Sequence, residues 1–218
     1  MAARGAGGRI RARFERFGIA ASELQYDQLE LYIGHLTKWN ERINLTSLSL
    51  DPLSDLAIDR LVIEPFLACK SLDSLASPVA GGLLDIGSGG GSPAIPLRVA
   101  MPERRLTMVE SKVRKAAFLR DAVRQLGFAD AEVYNGRLEQ LLIDPTRHES
   151  AAFASIRAVK ADRRLLKTLA VLMRPGGLLL WFRTGPFPLD RESVLPLTVA
   201  GTASLIPANR SGLVVLRR

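Results

Sequence analysis

An apolar run that ends in acid, Leu83-Leu84-Asp85-Ile86, is followed at once by Gly87, Gly89, Gly90 and Gly91. Glycines clustered there let the backbone take positive φ and approach a ligand that a Cβ would hold off. Pro93 then suits the first turn of a helix, where its missing N–H has no bond to lose. A second apolar run, Leu106-Thr107-Met108-Val109, ends in Glu110, at the spacing of roughly 20 residues at which a carboxylate can accept hydrogen bonds from a ribose diol. Strand, glycine loop, helix and acid-terminated strand point to an open α/β sheet with a nucleoside-cofactor site.

The remaining chain fits that frame. Ser22-Glu23-Leu24-Gln25 has the form of a capping box, and Leu29, Tyr32, Ile33, Leu36 and Trp39 follow at three-and-four spacing. The pattern predicts a helix over 22–40, with Trp39 as core. A second helix is expected over 53–68, so that 1–80 forms an N-terminal helical region and 81–218 the main domain. Within the latter, strands are expected at 83–86, 106–109, 132–134, 153–157 and 178–182. Helices are expected from Ser92 or Pro93, over 112–126 and over 163–173, the last closed by Pro175-Gly176-Gly177. Such alternation predicts a parallel, doubly wound sheet, with the fully apolar 178–182 central in it. Two terminal strands, 194–199 and 213–216, are expected around a turn near 209–212. Phe14 and Phe17 are spaced for a short helix, yet their Arg-rich segment reads either as a flexible RNA-binding arm or as an unstructured tail. Asn44-Leu45-Thr46 matches a glycosylation sequon formally and is read as a turn or a lid.

Composition narrows the partners. With 218 residues, 47% hydrophobic and 24% charged, the chain has the make-up of a globular protein with one sizeable core. One cysteine, Cys69, permits no internal disulfide, and His35 with His148 are too few imidazoles for a zinc site, so no metal is expected. A net charge of +8 favours a polyanionic partner, because Lys and Arg contacts to phosphates release counterions. The basic clusters Arg104-Arg105, 112–115 and 160–164 are either an RNA footprint or solvated helix faces. No apolar run is long enough for a bilayer, and the Arg-rich start lacks an apolar signal core, although it resembles a transit peptide. A cytoplasmic monomer without membrane attachment is the expectation.

The glycines alone leave the cofactor open. Gly89-x-Gly91-x-x-Ala94 also fits the dinucleotide fingerprint, so an NAD-dependent enzyme is a rival. Against it, the loop follows a long helical region, and too little chain remains for a second nucleotide-binding half and a substrate domain. Pro-Gly-Gly before an apolar strand and a terminal hairpin is the ending of S-adenosylmethionine-dependent methyltransferases of the doubly wound type.

Several segments make the resemblance specific. Trp39-Asn40-Glu41-Arg42-Ile43-Asn44-Leu45-Thr46, the loop from Asp85 to Leu97 with its two prolines, and Glu110-Ser111 followed by Lys115 and Phe118-Leu119 carry it. Arg137-Leu138-Glu139 and Arg157-Ala158 add to it. Over residues 22–185 the chain resembles the ribosomal small-subunit methyltransferase G family, also called glucose-inhibited division protein B. The resemblance implies a class I methyltransferase fold, S-adenosyl-L-methionine as cofactor, and methylation of a guanine N7 in small-subunit (16S) ribosomal RNA. It further implies that Gly87 and Ser92 line the cofactor together with Asp85 and Gly89, that Glu110 holds the ribose, and that Leu138 and Glu139 flank the adenine. Arg157 would stand beside the methionine half or the target base, as the candidate catalytic residue.

The chain departs from the family pattern in places. Ser92 stands where a large apolar residue is usual, Ala94 where glycine is, and Arg183 where lysine is. The family's His-x-x-Asp-Ser-Leu segment falls near 58–65, which here reads Ile-Asp-Arg-Leu-Val-Ile-Glu-Pro. Two alternatives stand beside the rRNA enzyme: a small-molecule methyltransferase, which the +8 charge disfavours, and, suggested by the departures at 58–65, an RNA-binding protein that keeps the fold without catalysis.

Overall fold

The computed structural model describes residues 3–72, 80–185 and 194–218. Helical segments come first: α1 (Ala3–Arg16), α2 (Glu23–Asn40), α3 (Asp55–Ile58) and α4 (Glu64–Leu72), the last two joined by a π turn, Asp59–Ile63. The alternating part follows as β1 (Gly82–Ile86), α5 (Ala94–Ala100), β2 (Leu106–Glu110), α6 (Val113–Gln125), β3 (Ala131–Asn135), β4 (Ala151–Arg157), α7 (Arg163–Leu172) and β5 (Met173–Thr184). The hairpin β6 (Thr198–Ile206) and β7 (Ser211–Arg217) completes the chain.

One seven-stranded sheet results, in the order β3-β2-β1-β4-β5-β7-β6. β1 through β5 pair in parallel, and β7 is antiparallel to both β5 and β6. Consecutive side chains point to opposite faces of a strand, so apolar runs such as Leu83-Leu84 supply both. Leu83 and Phe153 join a core with α1, α2, α4, α5 and α6, while Leu84, Ala154 and Ile156 pack beneath α7 and the turn at Leu138–Ile143. The N-terminal helices thus share one apolar core with a face of the sheet. Among the described residues, no helix is long and apolar enough to cross a membrane.

The capping box forms as the spacing predicts. The Gln25 backbone N–H donates to Ser22 Oγ, and the Gln25 side chain accepts from the Ser22 N–H. Three expectations need correction. First, the Arg-rich start is neither a loose arm nor a tail. Ile10 and Phe14 lie four residues apart on one face of α1 and are both fully buried. Phe14 packs edge-on to Tyr26 and Phe66, at centroid distances of 5.2 and 4.9 Å. The arginines around them face acids, with Arg9 on Asp55, Arg11 on Glu23 and Arg13 on Asp59.

Second, the first hairpin strand is not 194–199 but starts at Thr198 and runs on through Gly201-Thr202-Ala203-Ser204. Small and polar residues give little strand signal, and this strand is held as the edge of the sheet by β7. Third, Pro175-Gly176-Gly177 lies within β5, because the strand begins at Met173, directly after α7. The β4–β5 register slips there, from Ala151↔Met173 to Phe153↔Leu178. A Cβ on Gly177 would sit 2.9 Å from the Arg174 carbonyl, so the bulge requires glycine.

Candidate functional site

The carboxyl ends of β1, β2, β3 and β4 carry the predicted residues. After β1 the chain turns through Gly87, Gly89 and Gly91 with φ of +71°, +51° and +87°, all in the left-handed region that favours glycine. Close neighbours reinforce the requirement. A Cβ on Gly87 would come within 2.8 Å of Val159 Cγ2, and one on Gly91 within 2.7 Å of Ile95 Cδ1. From α2, the fully buried Tyr32 donates its hydroxyl to the Gly90 carbonyl at 2.7 Å. An N-terminal helix therefore braces the loop from behind.

Glu110 faces this loop from the end of β2. The Gly89 N–H donates to its Oε2 at 2.9 Å and the Lys112 N–H to its Oε1 at 2.7 Å. Its backbone carbonyl accepts from Asn135 Nδ2 at 2.8 Å, which ties β2 to the end of β3. Each carboxylate oxygen has one backbone donor and retains further acceptor capacity. The side chain is therefore oriented with acceptor capacity to spare, the chemistry that a ribose diol requires.

Asp85 lies lower. It is 1% exposed, and Ser155 Oγ from the neighbouring strand β4 donates to its Oδ1. Burial pushes its carboxyl up to about 6, with the Ser155 hydrogen bond opposing the shift. Beyond β3, Leu138 is buried at the head of its 3₁₀ turn, while Glu139 is half-exposed with Oε1 3.4 Å from Arg164 Nε.

Arg157 ends β4 and is tethered on several sides. Nη2 donates to Glu64 Oε2 at 2.9 Å, Nη1 donates to the Arg60 carbonyl and, at 3.5 Å, to Ser92 Oγ. Its guanidinium carbon lies 4.6 Å from the centroid of the Phe182 ring. Ser92 in turn donates to the Leu61 carbonyl at 2.8 Å. Glu64 is nearly inaccessible, and burial raises its carboxyl above the usual range despite Arg157 and Arg60 beside it. Beside this cluster opens a cavity of about 590 Å³ lined by Arg60, Glu64, Arg157, Lys160, Trp181 and Arg183 among others.

Four of the predicted residues thus meet in two direct contacts, Gly89 with Glu110 and Ser92 with Arg157, while Asp85 and Glu139 bond to Ser155 and Arg164 instead. Tyr32, Arg60, Glu64 and Ser155 escaped the sequence reading. For Glu64 one sign was present, an acid set in the apolar run from Leu61 to Phe66. The departures from the family pattern at 58–65 and at Ser92 meet here, because the π turn and α4 supply the Arg60 carbonyl and Glu64 that hold Arg157.

Five parallel strands with this loop after β1 and an acid closing β2, completed by an antiparallel hairpin, are the arrangement of a doubly wound methyltransferase of class I. Solved structures agree on the fold. A mutant of MtNAS in complex with S-adenosylmethionine superposes with a TM-score of 0.57 at 14% identity, covering 87% of this chain and 72% of that one. An S-adenosylmethionine-dependent methyltransferase from Aquifex aeolicus gives 0.52 at 14% identity, over 71% of this chain and 90% of that one.

Sequence comparison sharpens the class to a family. The model for rRNA small subunit methyltransferase G matches residues 25–188. Ribosomal RNA small subunit methyltransferase G of Stenotrophomonas maltophilia (strain R551-3) is 36% identical over 168 residues, 76% of this chain and 71% of the relative. The protein of that name from Cupriavidus necator is 31% identical over 207 residues, 91% and 86% of the two chains. The chain belongs to the rRNA small subunit methyltransferase G family.

Proposed function

We propose that this protein transfers a methyl group from S-adenosyl-L-methionine to N7 of a guanine in 16S ribosomal RNA, as a cytoplasmic monomer. The observation that carries the reading is the Glu110 carboxylate, pinned by two backbone N–H groups against a glycine loop of positive φ. Glu110 accepts the ribose hydroxyls, Gly87 and Gly89 give the backbone its close approach, and Leu138 with Glu139 flanks the adenine. Asp85, tied to β4 through Ser155, and Ser92, beside Arg157, complete the lining of the cofactor site.

The bound cofactor supplies an electrophilic methyl group. Guanine N7 already carries an exposed lone pair, so no proton has to be removed before attack. The protein's contribution is then placement and charge. Arg157 cannot donate to N7 while that atom attacks. Its charge is directed instead at guanine O6, a phosphate or the cofactor carboxylate. Glu64, Arg60 and Ser92 fix the guanidinium, so little side-chain freedom has to be lost when substrate arrives.

Transfer of labelled methyl groups to deproteinised 16S RNA, to small ribosomal subunits and to a metabolite extract tests the reading. Label is expected in RNA at a guanine N7, and Arg157→Ala is expected to abolish it. Label confined to small molecules, no transfer at all, or undiminished activity of the variant would contradict the assignment.

A further inference from the structure

The cavity beside Arg157 does not end at β5. Arg183 lines it and also lines a second cavity of about 540 Å³, bounded by Thr202, Ser204, Arg210 and Gly212 of the hairpin. The pairing explains the continuity. Arg183 lies opposite Gly212, and Gly212 lies opposite Ser204, so the three residues form one row across β5, β7 and β6. Directly opposite residues share a face of a sheet. With no side chain at Gly212, this row is a trough between Arg183 and Ser204. Thr184 pairs with Ser211, which brings the hairpin turn to the same sheet end as Arg157.

Charge along this path has one sign. Lys160 and Arg210 are exposed at its two ends, and Arg183 stands between them with its guanidinium carbon 4.7 Å from the Trp181 ring centroid. Among the described residues lining both cavities the one acid is Glu64, which is buried and engaged by Arg157. The N-terminal arginines 9, 11 and 13 are already paired with carboxylates.

We propose that the groove from Lys160 through Arg183 to Arg210 holds the phosphate backbone of the RNA strand flanking the target guanine. The proposal rests on the rRNA-methyltransferase reading and adds a path to it. Phosphate contacts of this kind position an RNA without reading its sequence. Small polar residues along the trough, Thr202 and Ser204, suit hydrogen bonds to phosphate or sugar oxygens.

Arg210 offers a clean test because it lies outside the cofactor site and has φ of +50°, a conformation asparagine tolerates. Wild type and Arg210→Asn are compared for Kd across a salt series, using whichever of deproteinised 16S RNA or small subunits takes up label from the wild type. Loss of one phosphate contact is expected to weaken binding about fivefold. It should also flatten the log Kd–log salt slope by about 0.7, the value for a single strand. S-adenosylhomocysteine affinity should be the same in both proteins, and Lys160→Ala combined with Arg210→Asn should deepen the RNA defect. An unchanged Kd and slope in both variants would overturn the groove while leaving the enzymatic reading intact. Failure of the wild type to label either substrate would overturn that reading itself.

Discussion

Asp85 shows how one buried carboxyl leaves a mark that can be measured. Its folded pKa of about 6 lies above the unfolded value near 4, so the folded state binds the proton more tightly. Its stabilising contribution is full below about pH 4 and is lost as pH rises through about 6. The gap between the folded and unfolded values is worth about 3 kcal/mol. Asp85→Asn lacks this dependence. Its stability relative to wild type should move by about that much in its favour between about pH 4 and pH 7, read from urea midpoints. A difference that stays constant over the range would refute the buried, proton-binding state of this side chain.

At the same scale, sequence reading singles out an acid set in an apolar strand, as at Asp85 within β1 and Glu110 at the end of β2. It failed where the informative group is a polar atom meeting a distant one. Ser155 sits inside an apolar strand, Tyr32 in an ordinary helix stripe, and Glu64 on a helix whose surroundings only the fold assembles.

Among the elements, α1 carries the clearest consequence. Its arginines suggested a nucleic-acid arm, but Phe14 anchors it between Tyr26 and Phe66. Truncating a fully buried phenylalanine costs about 3–5 kcal/mol through lost transfer energy and the cavity left behind. Phe14→Ala should therefore lower Tm by about 6–20 °C at the few degrees per kcal/mol of a chain this size. A Tm within a degree of wild type would mean that α1 is not part of the cooperative fold. Most elements were legible because the periods of helix and parallel strand are distinct. The exceptions were β6, an edge strand rich in Thr, Ala, Gly and Ser, and the start of β5, where a glycine bulge looked like a turn.

Over the whole molecule, the candidate site residues collect at the carboxyl end of the parallel strands. In the order β3-β2-β1-β4-β5-β7-β6 the direction of winding reverses between β1 and β4, and ligands of open α/β sheets bind in the crevice at that reversal. The glycine loop, Glu110 and Arg157 all lie there, and the N-terminal helical region braces the loop and Arg157 through Tyr32, the Leu61 carbonyl and Glu64. Residues far apart in sequence thus come to neighbouring strand ends, an arrangement that only the strand order makes visible.

The central claim is that the Glu110 carboxylate, oriented by Gly89 and Lys112, grips the cofactor's ribose. Calorimetric titration of S-adenosylhomocysteine into the wild type and Glu110→Gln tests it most directly, with thermal unfolding of both proteins as a check on folding. The wild type should bind at one site and the folded variant at least about tenfold more weakly, as expected when a charge-assisted hydrogen bond to the diol is lost. Equal affinity in the two proteins, or a wild type that binds NAD and not S-adenosylhomocysteine, would contradict the account.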